Sequence, residues 1–446
     1  MSSKGFVVGA VIGLIALCAC ALALGAVAAA IIAYRAGGMA TATPIGMPDP
    51  TQTAAEMDSI QAYVIVARGL QPEAPVERKF LTTEEVLQRT IDDFEKDTSP
   101  EEVQDDVRVL AALGLIEPGV DLYQLLIRLY SEGIAGFYDP ETSELVVVSE
   151  LQGLNAYEQT VFAHEYTHAL QDQIFDIEAS GFRDEVVETD PERFVAIQAV
   201  LEGDASLLEE QYRDTLSPAE RRENAAALDS IDVSIYLELP DFLLQDFVFP
   251  YEQGLNFVRR YYDEGGWARV DEVWRNPPVS TEHILHPERY EAGDWPSPLA
   301  RPPLTSTLGA GWRQIESNMI GEWYTYLILA HGADSATRLA DRTAYRAAEG
   351  WGGDGLTVFH HDEAGQTVLA ARWEWDTQAD ADEFAEAFRE YGDLRFGAAE
   401  AGTHHVCWTA EALACFYFDG RQTLWILAPD AGLVEAVLQQ YPDFSP

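Results

Sequence analysis

An α+β fold is what this 446-residue sequence predicts: a mostly helical body with a β-hairpin or small sheet, then a smaller C-terminal α+β unit, all preceded by one transmembrane helix. Three observations lead there. Phe6 to Ala33 is an uncharged apolar run, longer than the ~20 residues that cross a bilayer. Residues 76–345 are dominated by helix-period segments, with only short strand-like runs between them. After the Gly-rich Gly350–Gly355, the texture turns to the alternation of strands.

Taken in order, residues 1–36 read as a signal anchor, because a cleavable signal has an apolar core of only about 7–15 residues. Lys4 before the run and Arg35 after it favour a cytoplasmic N-terminus with the remainder outside. Leu17-Cys-Ala-Cys20 faintly resembles a lipobox, but the apolar run continues well past Cys20. Residues 37–75 are expected to be a flexible tether, since Gly37 to Ala55 is rich in Ala, Thr, Pro and Gly and has no apolar period.

Within the body, Thr82-Thr-Glu-Glu85 reads as a capping box opening a helical stretch to Leu115. Gly133–Tyr138 and Glu144–Ser149 are strand-like and joined by the turn chemistry of Asp139-Pro-Glu-Thr-Ser143, so they predict a hairpin, either buried in a sheet or presenting an open edge. Helices are expected over Ala156–Phe175, from Pro191 through Leu208, over Leu255–Tyr262 and over Trp312–Leu329, with Glu220–Ile231 helical and then loop. The C-terminal unit, 346–446, reads β-β-α-β-β-β-α, with the helix over Thr377–Tyr391. Its His360-His361 and His404-His405 pairs are taken as surface or hairpin-end residues, because neighbours on a strand point to opposite faces. Cys407 and Cys415 sit eight apart across a predicted hairpin and suit either a disulfide in an oxidising compartment or two buried thiols.

The chemistry concentrates in His164-Glu165-Tyr166-Thr167-His168. On a helix, residues four apart share a face, so both imidazoles can address one point, with Glu165 close enough to reach a water held there. Two nitrogen ligands, an open position and a carboxylate are what a hydrolytic zinc site requires. Glu202 follows on the next helix, 34 residues after His168, among Ala199, Val200, Leu201 and Gly203. An acid in so apolar a stretch needs a partner.

This pattern resembles the gluzincin-type zinc metallopeptidases, in which His-Glu-x-x-His is followed by a glutamate ligand on the next helix, and more loosely uncharacterised membrane-anchored bacterial zincin-like proteins. The resemblance covers about residues 76 to 340. It implies Zn2+ held by His164, His168 and Glu202, with Glu165 as general base, in a mostly helical zincin-like domain. Familiar gluzincins carry an aspartate four residues after the glutamate ligand; here that position is Ser206, which leaves Asp204 or Asp172 to support a zinc histidine. Gln171 and Ile174 stand where metzincins have Gly and His, which excludes that class. An oxyanion donor is sought in Pro277–Tyr290, with His286 preferred over His283 and a tyrosine such as Tyr290.

Net charge is −47, from 75 acidic and 28 basic residues, and only Lys4, Lys79 and Lys96 are lysines. Such a body repels nucleic acid and anionic lipid. No EF-hand loop or candidate cysteine switch is present. The expectation is a membrane-anchored extracytoplasmic zinc peptidase acting on a peptide or protein. The rivals are a non-catalytic cell-surface binding protein on the same scaffold, and a zinc hydrolase of a non-peptide amide.

Overall fold

The computed structural model describes residues 50–131, 136–148, 154–229, 231 and 233–444. The expected anchor, Phe6–Ala33, lies outside them. Among the described residues no helix is long and apolar enough to cross a membrane.

The chain is a mixed α+β protein. The tether expected over 37–75 is corrected first: Pro50–Arg68 is a helix (α1). Met57, Ile60 and Val64 recur at helical spacing and are buried against Ala163, Tyr166 and Leu170. The Ala/Thr/Pro composition describes only the residues before this periodic segment. Strand β1 (Glu77–Leu81) follows, then α2 (Thr83–Asp97) with both halves of the Thr82/Glu85 capping box formed. The helical stretch expected to Leu115 is two helices, because Ser99 makes a second capping box with Glu102 and Pro100 starts α3 (Pro100–Leu113). After α4 (Leu122–Ser131), the hairpin is present as β2 (Gly136–Asp139) and β3 (Glu144–Val148). The three-stranded sheet runs β1-β3-β2, with β1 parallel to β3, so β2 is an edge among the described residues.

Two long helices come next, α5 (Ala156–Phe175) and α6 (Pro191–Thr215). Helix α7 (Asp241–Gly265) crosses α6 and continues through Pro250, and α8 (Trp267–Arg275) follows. The α6–α7 crossing is backbone on backbone. A Cβ added to Gly203 would lie 2.2 Å from the Gly254 carbonyl oxygen, and one on Gly254 would lie 2.0 Å from that of Ala199. Only glycine fits at that crossing.

The expected helix over Trp312–Leu329 is instead strand β4 (Trp312–Asn318) followed by helix α9 (Gly321–Ala330). Gly321, at φ 79°, makes the turn between them, and a side chain there would run into Glu192. Strand β4 joins an antiparallel sheet of order β4-β5-β6-β10-β9-β8-β7, so this sheet draws a strand from before residue 346. The others are β5 (Trp351–His361), β6 (Gln366–Trp375), β7 (Ala399–Ala401), β8 (His405–Thr409), β9 (Leu413–Asp419) and β10 (Gln422–Ala428). Helix α10 (Gln378–Phe396) covers one face, with Phe384 and Phe388 against Trp373, Trp375 and Trp425. Helix α11 (Ala431–Leu438) covers the other, with Val434 and Val437 in one cluster with Val368 and Ile426. Side chains tie the sheet to the helical body: Trp373 Nε1 donates to Thr325 Oγ1 at 3.0 Å, and Tyr391 OH to the Leu113 carbonyl at 3.2 Å. Cys407 and Cys415 are disulfide-bonded directly across β8–β9. His360, expected at the surface or a hairpin end, lies at the closed end of the β5–β6 hairpin and is buried, its Nδ1 3.1 Å from Thr367 Oγ1.

Candidate metal centre

Helix α5 starts at Asn155, whose side chain accepts from the N–H groups of Tyr157 and Glu158 while Glu158 reaches back to the cap. This N-terminal lock sets the rotation of the helix, and from Thr160 to Gln171 it is buried throughout. Helix α6 starts with Pro191 at its first position and an Asp190 cap. It packs against α5 on one side and α7 on the other. The two helices bring ligand atoms of His164, His168 and Glu202 within 4.8 Å of one another, as the motif spacing predicts. His164 Nε2 and His168 Nε2 lie 3.2 and 3.5 Å from Glu202 Oε2. These residues are 1 % exposed and Glu165 is 3 % exposed.

The partners of this group are those that metal binding requires. His168 Nδ1 is 2.8 Å from Gln171 Oε1, and Gln171 Nε2 donates to the Leu201 carbonyl at 3.1 Å, which fixes which end of the amide faces the ring. Nδ1 therefore carries the hydrogen, and the lone pair of the neutral ring is on Nε2, aimed at a carboxylate oxygen. A lone pair facing an anion is repulsive unless a cation or a proton lies between them. Glu202 Oε1, also buried, has no hydrogen-bond partner. Two imidazoles and a carboxylate, buried and converging with donor capacity to spare, fit a zinc ion.

For the chain by itself the electrostatics follow the same logic. Burial pushes the Glu202 carboxyl up, but the two histidines more than reverse this and hold it at about 2. Burial pushes the His164 imidazole down, and Glu202 and Glu209 overcome this and raise it to about 10. Glu165, buried with its charge only partly offset by His168 and His164, is pushed up to about 7. Its Oε2 accepts a 2.9 Å hydrogen bond from the Tyr138 main-chain N–H. That N–H consequently points away from β3, and the outer edge of β2 is turned toward Glu165. The Tyr138 hydroxyl donates to Asp172 Oδ2 at 2.7 Å, clamping β2 to α5 at a second point.

Several sequence expectations are corrected here. Asp172 is engaged by Tyr138, and Asp204 forms a two-pronged pair with Arg68 at 2.8 and 2.9 Å and accepts from Trp274 Nε1 at 2.8 Å. Neither supports a histidine of this group. Gln171 does so for His168, and the acid facing His164 is Glu209, whose Oε2 is 3.4 Å from Nδ1. Both were legible only as residues on the correct helical faces: Gln171 three after His168, Glu209 two turns after Glu202. The proposed oxyanion donors are all committed elsewhere. His286 Nε2 is 2.7 Å from Glu322 Oε1, His283 Nε2 is 2.6 Å from the Asp294 carbonyl, and Tyr290 OH donates to the Asn276 carbonyl at 2.6 Å. The structure instead brings Tyr251 of α7 beside the candidate metal group, its ring stacked on that of His164 at 6.5 Å. A tyrosine inside an amphipathic helix carries no signal that would have singled it out.

The His286 region has its own electrostatic signature. Glu282 is buried, and desolvation, followed by the neighbouring Glu322 and Asp376 charges, pushes its carboxyl up to about 9. The folded chain therefore holds a proton there that the unfolded chain releases near pH 4.5. Between those values the native state binds more protons, so stability falls as pH rises. Glu282→Gln, which stays neutral, is expected to stabilise the protein by several kcal/mol at pH 8.5 and by little at pH 4.5. Urea midpoints at the two pH values test this, and an equal effect at both would contradict it.

A family model described as "Domain of unknown function (DUF8575)" matches residues 307–438, the stretch from just before β4 to the end of α11, and includes none of the metal-group residues. No curated protein matches the chain. A solved structure from Chloroflexus aurantiacus, described as "a putative hydrolase with a novel fold", is 18 % identical. The match covers 61 % of this chain and 98 % of that one at a TM-score of 0.39, a likeness too slight to carry an argument about fold or activity.

Proposed function

We propose that this chain is a membrane-anchored, extracytoplasmic zinc-dependent peptidase of the gluzincin type. The observation that carries the reading is the convergence of His164, His168 and Glu202, with Glu165 alongside and His168 held by Gln171 in its metal-binding tautomer. A zinc ion bound there supplies the Lewis acidity that polarises a carbonyl and acidifies a water. Glu165 takes the proton of the attacking water and returns one to the leaving amine. The edge of β2 at Tyr138 is the main-chain surface on which an extended peptide can align, exchanging its N–H from Glu165 to the substrate. The Cys407–Cys415 disulfide suits the oxidising side of the membrane.

A second reading, a non-catalytic surface protein with a structural metal, draws on one observation: all four residues of the centre are buried. Zinc content and hydrolysis of a peptide library, measured on the full-length chain in detergent, separate the two. About one zinc per chain is expected, lost in His168→Ala and in Glu202→Ala together with hydrolysis. Zinc without turnover would favour the structural reading, and no zinc in metal-replete wild type would remove both.

A further inference from the structure

We infer that Glu209 is the positioning residue for the first metal histidine, supplying through His164 Nδ1 the carboxylate support that Ser206 cannot. The inference rests on the zinc reading above and identifies how the site is held rather than what it binds.

The two histidines are supported unequally. His168 Nδ1 has Gln171, itself tied to the backbone of α6 at Leu201. His164 Nδ1 is buried without a formed hydrogen bond. An orphaned ring N–H costs about 1–3 kcal/mol, so a nearby acceptor has a strong reason to close on it. Glu209 Oε2 is 3.4 Å away, while its other oxygen faces Arg213 Nη1 at 4.0 Å. The seven-residue spacing from Glu202 to Glu209 is two helical turns, which puts both acids on the face of α6 that packs on α5. One carboxylate thus meets His164 at Nε2 and the other at Nδ1. The Glu209 side chain is 19 % exposed, so it reaches both the ring and solvent. With Nδ1–H donating to Glu209, the lone pair of His164 lies on Nε2, the atom facing Glu202 and His168. A charged acceptor also raises the basicity of the ring as a ligand.

The test is zinc affinity by chelator competition, with the d–d spectrum of the cobalt-substituted protein, on the full-length chain in detergent. Glu209→Ala is expected to weaken zinc binding about 10- to 100-fold and to change the cobalt spectrum, while the melting temperature of the zinc-free protein stays near wild type. Glu209→Gln is expected to fall between, keeping an acceptor but losing its charge. Adding Ser206→Asp to Glu209→Ala returns an acid to the same helical face and is expected to restore part of the affinity. Wild-type affinity and an unchanged cobalt spectrum in Glu209→Ala would overturn the inference alone, provided His168→Ala loses zinc. A lowered melting temperature of the zinc-free protein with no spectral change would also overturn it. Absence of zinc from wild type would overturn the zinc reading, and this inference with it.

Discussion

Glu165→Gln is expected to lower peptide turnover by about 10²–10⁴-fold while leaving zinc content at wild-type level. The substitution separates the two roles that the His-Glu-x-x-His pattern joins. Gln keeps a carbonyl oxygen that can accept from the Tyr138 N–H, so the geometry of β2 against α5 is preserved. It cannot take a proton, so the attacking water loses its base. The metal group does not include Glu165, so its affinity should hold. Steady-state hydrolysis measured beside metal analysis decides the matter. Turnover within about tenfold of wild type would remove Glu165 from the mechanism. Tyr251→Phe in the same assay is expected to lower turnover without loss of zinc if the phenol beside His164 serves the oxyanion, the role sequence reasoning gave to His286.

Gly203→Ala is expected to destabilise the fold by about 3 kcal/mol, against the usual gain of up to ~1 kcal/mol for replacing a mid-helix glycine by alanine. The reversal of sign comes from the α6–α7 crossing, where the new methyl meets the backbone of Gly254 at 2.2 Å. Backbone cannot rotate aside as a side chain can, so the helices must separate or shift. Glu202 is the adjacent residue, and any shift moves it relative to His164 and His168 on α5. Zinc affinity is therefore expected to fall together with the denaturation midpoint. A variant as stable as wild type would show that the crossing is looser than described and would sink the argument.

The same neighbourhood explains the N-terminal helix. Arg68 at the end of α1 is buried with Asp204, Asp271 and the ring of Trp267, two residues along α6 from Glu202. An acid that sequence reasoning offered to the metal instead anchors a helix that the composition of its flank disguised as a tether. Removing one partner of such a buried pair strands the other, which is why the pair holds α1 in place.

What this sequence determined by itself is local. The spacing of His164, Glu165 and His168, the apolar flanks of Glu202, the Thr82–Glu85 cap and the alternation of the C-terminal strands are short-range patterns. Each survives translation into structure because a helix or strand places residues by period alone. The Cys407–Cys415 bond belongs to the same class, since two strands of one hairpin set its register. Only the tertiary structure decided which polar groups meet. Gln171 and Glu209, rather than Asp172 and Asp204, face the histidines; His286 goes to Glu322; Trp312–Asn318 is a strand because β5 is there to pair with it. The reason is physical. A buried polar side chain takes the partner that helix crossings bring within about 3 Å, and those crossings depend on contacts between segments far apart in the chain, such as Gly203 on Gly254.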